Sequence, residues 1–137
     1  MIDGRSPVQL AALLVAALAA AAGILGFVPG GTTGHLAFAG RGSHAELFGL
    51  FRTSVLANLL YLVPAAVGVV LARTGEGART FLLAGGVGLL LLWLLAAIGH
   101  GGWLPTNRAA DWLHFVGGAC LLGIAFATSR GLAEATA

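Results

Sequence analysis

Four long apolar runs take up most of this sequence and restrict what it can fold into. They cover about residues 7–28, 47–71, 80–98 and 109–128, and each is 19 to 25 residues long. About 20 helical residues span a hydrocarbon core. In lipid, only a helix or a closed barrel satisfies its own backbone hydrogen bonds. Because the apolar residues are continuous and do not alternate with polar ones, the runs predict four transmembrane helices.

The balance of apolar and charged residues also indicates a membrane protein. Hydrophobic residues make up 58% of the chain and charged residues 9%, whereas soluble domains carry roughly 25% charged residues. So few charges do not cover a water-facing surface, and we expect the lipid bilayer to contact most of the protein. The seven basic residues are scattered arginines, which gives no support to nucleic-acid binding.

The connections between the runs predict how the helices are arranged. Most of them are short, which favours a single all-α domain, residues 1–137, built as an antiparallel four-helix bundle. The arginines divide between the two sides as Arg5, Arg73, Arg79 and Arg130 against Arg41, Arg52 and Arg108. Because basic residues favour the cytoplasmic side, both termini are predicted to lie inside the cell. The first run is longer than the roughly 7 to 15 apolar residues of a signal peptide, so we expect it to remain as a helix.

Small residues spaced four apart occur on several of the predicted helices. Examples are Ala12 and Ala16 on the first, Ala84 and Gly88 on the third, and Ala119 and Gly123 on the fourth. In lipid, helices associate by close packing at such residues. Dimerisation and packing inside one protomer are both open, and their presence on several helices favours packing inside the protomer.

The few polar residues within the apolar runs are the candidate site. Arg52 and Asn58 lie in the second run, and Asp111 and His114 in the fourth. At about 1.5 Å per residue, the two charged residues lie about 6 to 7 Å into their helices, on the same side of the membrane. We therefore expect an Arg52–Asp111 pair, with His114 on the same helix face as Asp111. Asn107 is the predicted N-cap of the fourth helix.

Two interpretations of this polar cluster stay open at the level of sequence. It is either a structural clasp between helices or a site for a small ligand, an ion or a proton, since ionisable groups within a membrane are costly and often functional. No cofactor is expected, because His114 has no helical histidine at matching depth to share a haem. No metal site is predicted either, since His35, His44 and His100 lie in loops or at an edge without a known ligand spacing. The single Cys120 forms no intrachain disulfide.

Several segments read together resemble a known family. They are residues 6–11, 23–30, 47–51 and 105–114, which include Phe-Val-Pro-Gly at the end of the first run and Pro-Thr-Asn before the fourth. The chain resembles the bacterial domain-of-unknown-function family numbered 4383, over nearly its whole length. The resemblance implies a four-helix membrane protein without an established activity.

The sequence departs from the pattern of that family at two places. The family resemblance implies His-Asn-x-x-His in the second helix, but the corresponding residues here are Ala57, Asn58 and Tyr61. An aspartate expected at position 110 is replaced by Ala110, with Asp111 one position later. Asn58, Asn107 and His114 carry over. These departures remove the histidines on which a chemical role would rest.

No complete catalytic set is present, so the preferred hypothesis is a non-enzymatic protein. We expect a multi-pass protein of the bacterial inner membrane that acts as an accessory, assembly or structural subunit, with other membrane subunits or a second copy as partners. The alternative is transport or binding of a small ligand, ion or proton at Arg52, Asn58, Asp111 and His114. The weakest alternative is an enzyme acting on lipid or quinone near His114.

Overall fold

The computed structural model describes residues 4–99 and 102–136, and their side chains except those of 41 and 130–136. The chain is mostly helical, and the predicted four helices are confirmed. Three short strands, which were not predicted, lie between the first and second helices. The elements in chain order are α1 Pro7–Leu25, β1 Thr32–Thr33, β2 Ala45–Leu47, β3 Phe51–Thr53, α2 Val55–Leu71, α3 Gly75–Ala97 and α4 Arg108–Thr136.

The helices begin at side chains that cap their first turns. In α1, Pro7 is the first residue, and the backbone N–H of Ser6 donates to Gln9 Oε1 over 3.0 Å. Ser54 Oγ accepts from the N–H of Ala57 at the start of α2, and Thr74 caps α3 in the same way. Such oxygens satisfy N–H groups that have no partner inside the helix.

Gln9 has a second role, because it also joins α1 to the far end of α2. Its Nε2 donates to the carbonyl oxygens of Ala72, over 3.0 Å, and Arg73, over 2.9 Å. These carbonyls follow the last turn of α2, where carbonyl groups lack helical donors. The Gln9 side chain therefore satisfies backbone groups at the start of α1 and at the end of α2.

The predicted start of the second helix at Leu47 is wrong. Residues 45–47 and 51–53 form β2 and β3, which pair antiparallel, and β1 pairs with β2 to complete a three-stranded sheet. Between β2 and β3, Phe48 and Gly49 both have positive φ, at 55° and 65°, as in a tight hairpin turn. A continuous apolar run of this length does not distinguish a strand from a helix, and the Ser54 cap places the start of α2 at Val55.

The other helix bounds differ from prediction by smaller amounts. Helix α3 begins at Gly75, five residues before the predicted start. Helix α4 begins at Arg108, one residue before the predicted start, and continues to Thr136, beyond the predicted end at Thr128. Its last residues are less apolar, so hydropathy alone placed the end too early.

Three helices are long and apolar enough to cross a membrane, and α2 is shorter. The three segments are Pro7–Leu25, Gly75–Ala97 and Arg108–Ser129. Helix α2 has 17 residues and α3 has 23, which correspond to lengths of about 26 Å and 35 Å.

The sheet lies beside the end of α3 and the start of α4. Arg52 lines a cavity with Ala96, and the N–H of Gly40 donates to the carbonyl of Trp103. We call this end of the bundle, residues 29–54, 98–99 and 102–107, the sheet end.

The helices pack as two antiparallel hairpins, α1 with α2 and α3 with α4. The closest approach in the second hairpin is between Gly86 and Gly118: a Cβ built at Gly86 would lie 3.0 Å from the carbonyl oxygen of Gly118, and the reverse distance is 2.9 Å. In the first hairpin, Ala12 and Ala16 are fully buried. Small residues thus bring the backbones together, as expected for helices in lipid.

The apolar core lies toward the end opposite the sheet. It contains small residues and three larger side chains: Val8, Ala12, Ala16, Ala72, Ala78, Phe81, Leu82, Leu121 and Ala125. Many large apolar side chains point outward instead, and Leu14, Leu18 and Val63 are each more than 60% exposed. An apolar surface of this extent suits lipid as the surrounding medium.

The contact between Gly26 and α2 gives a direct test of this packing. A Cβ at Gly26 would overlap the side-chain amide of Asn58. We expect Gly26→Ala to lower the free energy of unfolding by about 1–3 kcal/mol, because overpacking forces a well-packed neighbour to move. Gly88→Ala is the matched control, since nothing lies within 4 Å of a Cβ there. Equal unfolding free energies for the two variants in detergent would contradict the described contact.

Candidate functional site

Buried polar side chains form a layer inside the bundle at the sheet end. Ser43 Oγ donates to the carbonyl oxygen of Thr53 over 2.7 Å, and Thr53 Oγ1 donates to Asn58 Oδ1. All three side chains are buried, with Asn58 only 1% exposed. The layer therefore ties the loop before β2 to β3, and β3 to the first turn of α2.

A second hydrogen bond extends the layer from α2 to α4. Tyr61 Oη lies 2.9 Å from His114 Nε2, and the two rings are tilted with centroids 6.5 Å apart. His114 is 6% exposed. Tyr61 follows Asn58 by three residues, so both side chains lie on the same side of α2. We use "polar layer" below for Ser43, Thr53, Asn58, Tyr61 and His114.

The structure separates one predicted site residue from the others. Asn58, Asp111 and His114 lie on α2 and α4 as predicted. Arg52 does not lie in a helix: it is the central residue of β3, opposite Glu46 of β2, so the depth counted along a helix from Leu47 does not apply. The expected Arg52–Asp111 ion pair is absent from the described residues, since Arg52 Nε and Asp111 Oδ1 have no hydrogen-bond partner.

Asn107 connects the sheet to the start of α4. Its Oδ1 accepts from the N–H of Ala110 over 3.0 Å, and its Nδ2 donates to the carbonyl oxygen of Leu50 over 2.8 Å. The first bond is that of an N-cap. The second holds the hairpin between β2 and β3 against α4, which keeps β3 beside this helix.

Each of the four predicted cluster residues has one buried atom without a protein partner. These atoms are Arg52 Nε, Asn58 Nδ2, Asp111 Oδ1 and His114 Nδ1, and no other buried side-chain atom of the described residues shares this property. Buried polar atoms in folded proteins are nearly always hydrogen-bonded, and exceptions point to water, an ion or a ligand. The cluster therefore has unused capacity for hydrogen bonding that a purely structural clasp does not need.

No set of metal ligands converges in the part of the chain that the structure describes. No group of three His, Cys, Asp or Glu side chains is close enough to hold an ion there. His35 and His44 are joined through their backbones, with the N–H of His44 donating to the carbonyl of His35 over 2.9 Å. His100, the other loop histidine considered from sequence, lies outside the described residues.

Comparison with known proteins identifies a family. A family model described as a domain of unknown function (DUF4383) matches residues 9–127. The chain belongs to the DUF4383 family. The resemblance inferred from sequence is thereby confirmed. No curated protein and no solved structure matches the chain.

In this DUF4383 protein, sequence reasoning missed the residues that link the polar layer together. Ser43 and Thr53 were not singled out, because small hydroxyl side chains near an apolar run carry no signal of burial. Tyr61 stands where the family pattern has a histidine, but its pairing with His114 depends on how α2 and α4 face each other. Its spacing from Asn58 was the available clue.

The Tyr61–His114 bond of the DUF4383 protein predicts a measurable coupling between α2 and α4. We expect Tyr61→Phe to lower the free energy of unfolding by about 0.5–1.5 kcal/mol, the range found for side-chain hydrogen bonds between membrane helices. In a His114→Leu background the same substitution should have almost no effect. Unfolding of the four proteins of this double-mutant cycle in detergent gives the coupling energy, and additive effects of the two substitutions count against a structural clasp.

Proposed function

We propose that this DUF4383 protein is a non-enzymatic accessory or assembly subunit of a membrane complex. The supporting observation is an outward row of small residues on α4, consisting of Ala119, Gly123 and Ala127, which are all exposed. Nothing lies within 4 Å of a Cβ built at Gly123. Rows of this spacing let a second helix approach closely in lipid.

Other small residues of the chain are already used inside the protomer. Ala12 and Ala16 are buried, and Gly86 and Gly118 form the crossing of α3 and α4. The α4 row is an open small-residue surface that covers three successive turns, and the pair Ala84 and Gly88 on α3 is also open. Apart from the connection that carries the sheet, the chain consists mainly of helices, so a partner is expected to bind through such a helix face or through that connection.

A bulky side chain on the α4 row tests the subunit role. We expect Gly123→Leu to release the partner from complexes isolated in mild detergent, because a leucine there prevents close approach. Gly88→Leu adds the same bulk at the open pair on α3, so release by Gly123→Leu alone assigns the partner to α4, and release by Gly88→Leu alone contradicts this assignment. Native mass spectrometry of both variants measures the bound chains. If the wild-type protein is always isolated from its own membrane as a monomer without other chains, the subunit role is ruled out.

The single cysteine distinguishes a second copy from a different partner. Cys120 is exposed and follows Ala119 of the row. A symmetric pair of α4 helices would bring two Cys120 side chains near each other, so mild oxidation should yield a covalent dimer. A different partner chain leaves Cys120 uncrosslinked while Gly123→Leu still releases that chain.

We further propose that all four helices cross the bacterial inner membrane with both termini inside the cell. The four-to-three division of arginines supports this orientation, and the position of Trp103 and Trp112 near the sheet end supports a membrane interface at that end. In a Cys120→Ala background, we expect Thr33→Cys to react with an impermeant maleimide in intact cells. Arg73→Cys should react only after permeabilisation, and the reverse pattern contradicts the orientation.

A second candidate function is the binding of a small polar ligand or proton at the predicted cluster. It is favoured by the four unpartnered buried atoms on Arg52, Asn58, Asp111 and His114. Asp111→Ala and Arg52→Ala test it: if both variants keep every ligand-dependent shift in thermal unfolding that the wild-type protein shows, this function is ruled out.

A further inference from the structure

Arg52 lines a cavity that is separate from the polar layer. The cavity has a volume of about 270 Å³ and is bounded by β3, the end of α3 and the connection between α3 and α4. Its described lining consists of Arg52, Ala96, Gly99, Gly102, Leu104, Pro105 and Thr106. No residue of the polar layer contributes to this lining. Arg52 supplies its charge, and Thr106 supplies a hydroxyl group.

The charge of Arg52 is not matched by an acidic side chain in the described part of the protein. Glu46 lies opposite Arg52 in the sheet register, and Asp111 lies on the neighbouring α4, but neither forms an ion pair with it there. A guanidinium group that is partly removed from water without a counter-charge is unfavourable. An anion in the cavity would provide this counter-charge.

The end of α3 offers a structural explanation for Arg52, but the hydrogen bonds argue against it. Cations are favoured near helix C-termini, and Ala96 of the last turn lines the cavity. However, the carbonyl of Leu94 accepts from Ile98 over 3.0 Å and that of Ala96 from Gly99 over 3.2 Å. These two carbonyl groups are thus occupied by the backbone, and Arg52 Nε donates to no carbonyl group of the helix end.

The size and position of the cavity indicate the class of anion. A volume of about 270 Å³ lies just below the roughly 300–1,000 Å³ of pockets that hold drug-sized ligands, so the cavity admits a phosphate group but not a whole lipid. A guanidinium fork matches phosphate oxygens with two parallel hydrogen bonds. The cavity also lies at the level of Trp103, next to its Gly102 and Leu104 walls, and tryptophan favours the headgroup level of a bilayer.

We infer that the Arg52 cavity binds a phosphate group, either the headgroup phosphate of an anionic lipid or free inorganic phosphate. Arg52 supplies the charge and Thr106 a hydroxyl donor. The inference names a ligand class within the second candidate function, and it rests on that function only in its use of Arg52. It is independent of the subunit role. A phosphate held here would join β3 to the α3–α4 connection.

The test compares lipid and phosphate binding by the full chain in detergent. Native mass spectrometry with phosphatidylglycerol and with phosphatidylcholine measures lipid affinity, and thermal unfolding with inorganic phosphate, against chloride at equal ionic strength, measures free-anion binding. We expect Arg52→Gln to weaken binding at least about tenfold, since a hydrogen bond to a charged group contributes about 1.5–3 kcal/mol. Arg108→Gln, which removes an exposed arginine at the same end, should change it less than twofold.

The two arms identify the source of the phosphate group. Preferential retention of phosphatidylglycerol, lost in Arg52→Gln, supports a lipid headgroup, whereas Arg52-dependent stabilisation by inorganic phosphate alone supports a free anion. Unchanged binding of both probes by folded Arg52→Gln overturns the inference. If Arg52→Gln does not fold, Gly102→Leu serves instead: it adds bulk to the cavity wall without touching Arg52 and should reduce binding to a similar extent, and unchanged binding by it also overturns the inference.

An Asp111→Asn variant keeps this inference distinct from the second candidate function. Asp111 belongs to the predicted cluster but does not line the cavity. Phosphate binding that depends on Arg52 and not on Asp111 supports the cavity as the site. An equal loss of binding in both variants places the ligand at the wider cluster and overturns the cavity, while leaving the second candidate function standing.

Discussion

The sheet end depends on one close contact, that between Gly26 and Asn58. Because Gly26 has no side chain, the end of α1 lies directly against the amide of Asn58. Asn58 in turn accepts the hydroxyl hydrogen of Thr53, and the carbonyl of Thr53 accepts from Ser43. The position of β3 thus follows from the packing of two helices, with a buried amide as the link. Buried polar groups connected in this way specify one arrangement when their bonds are satisfied.

The long apolar helices follow from the sequence because length and hydropathy leave few alternatives. Helices α1, α3 and α4 coincide with three of the apolar runs to within a few residues at most of their ends. The strands do not follow, because residues 47–51 carry no polar side chain and the turn at Phe48 and Gly49 lacks the Asn-Gly or Asp-Gly pair typical of tight hairpins. The wrong position predicted for Arg52 follows from this, because the predicted helix starts at Leu47, whereas α2 begins eight residues later, at Val55.

The residues of the candidate site likewise divide into those that could be predicted from the sequence and those that could not. Asn58, Asp111 and His114 were identifiable because a polar residue inside a long apolar run is conspicuous. The Arg52 cavity was not identifiable from the sequence. Its walls come from β3 and from the end of α3 with the connection that follows it, forty-four or more residues further along the chain. Glycine, proline and threonine in such a connection predict a loop and give no indication of a cavity. Contacts between distant segments require the packing of the two hairpins, which periodicity does not specify.

The shorter α2 has a mechanical consequence for a surrounding bilayer. In a bilayer, the hydrocarbon region beside α3 would meet a helix about 35 Å long, and beside α2 one of about 26 Å. Lipids adjust to such a mismatch by thinning locally, at a cost of a fraction of a kcal/mol per ångström. Phe48 and Leu50, which are exposed on the hairpin that precedes α2, add apolar surface at the sheet end. The protein would therefore act on its membrane as a wedge, with unequal lipid thickness on its two flanks.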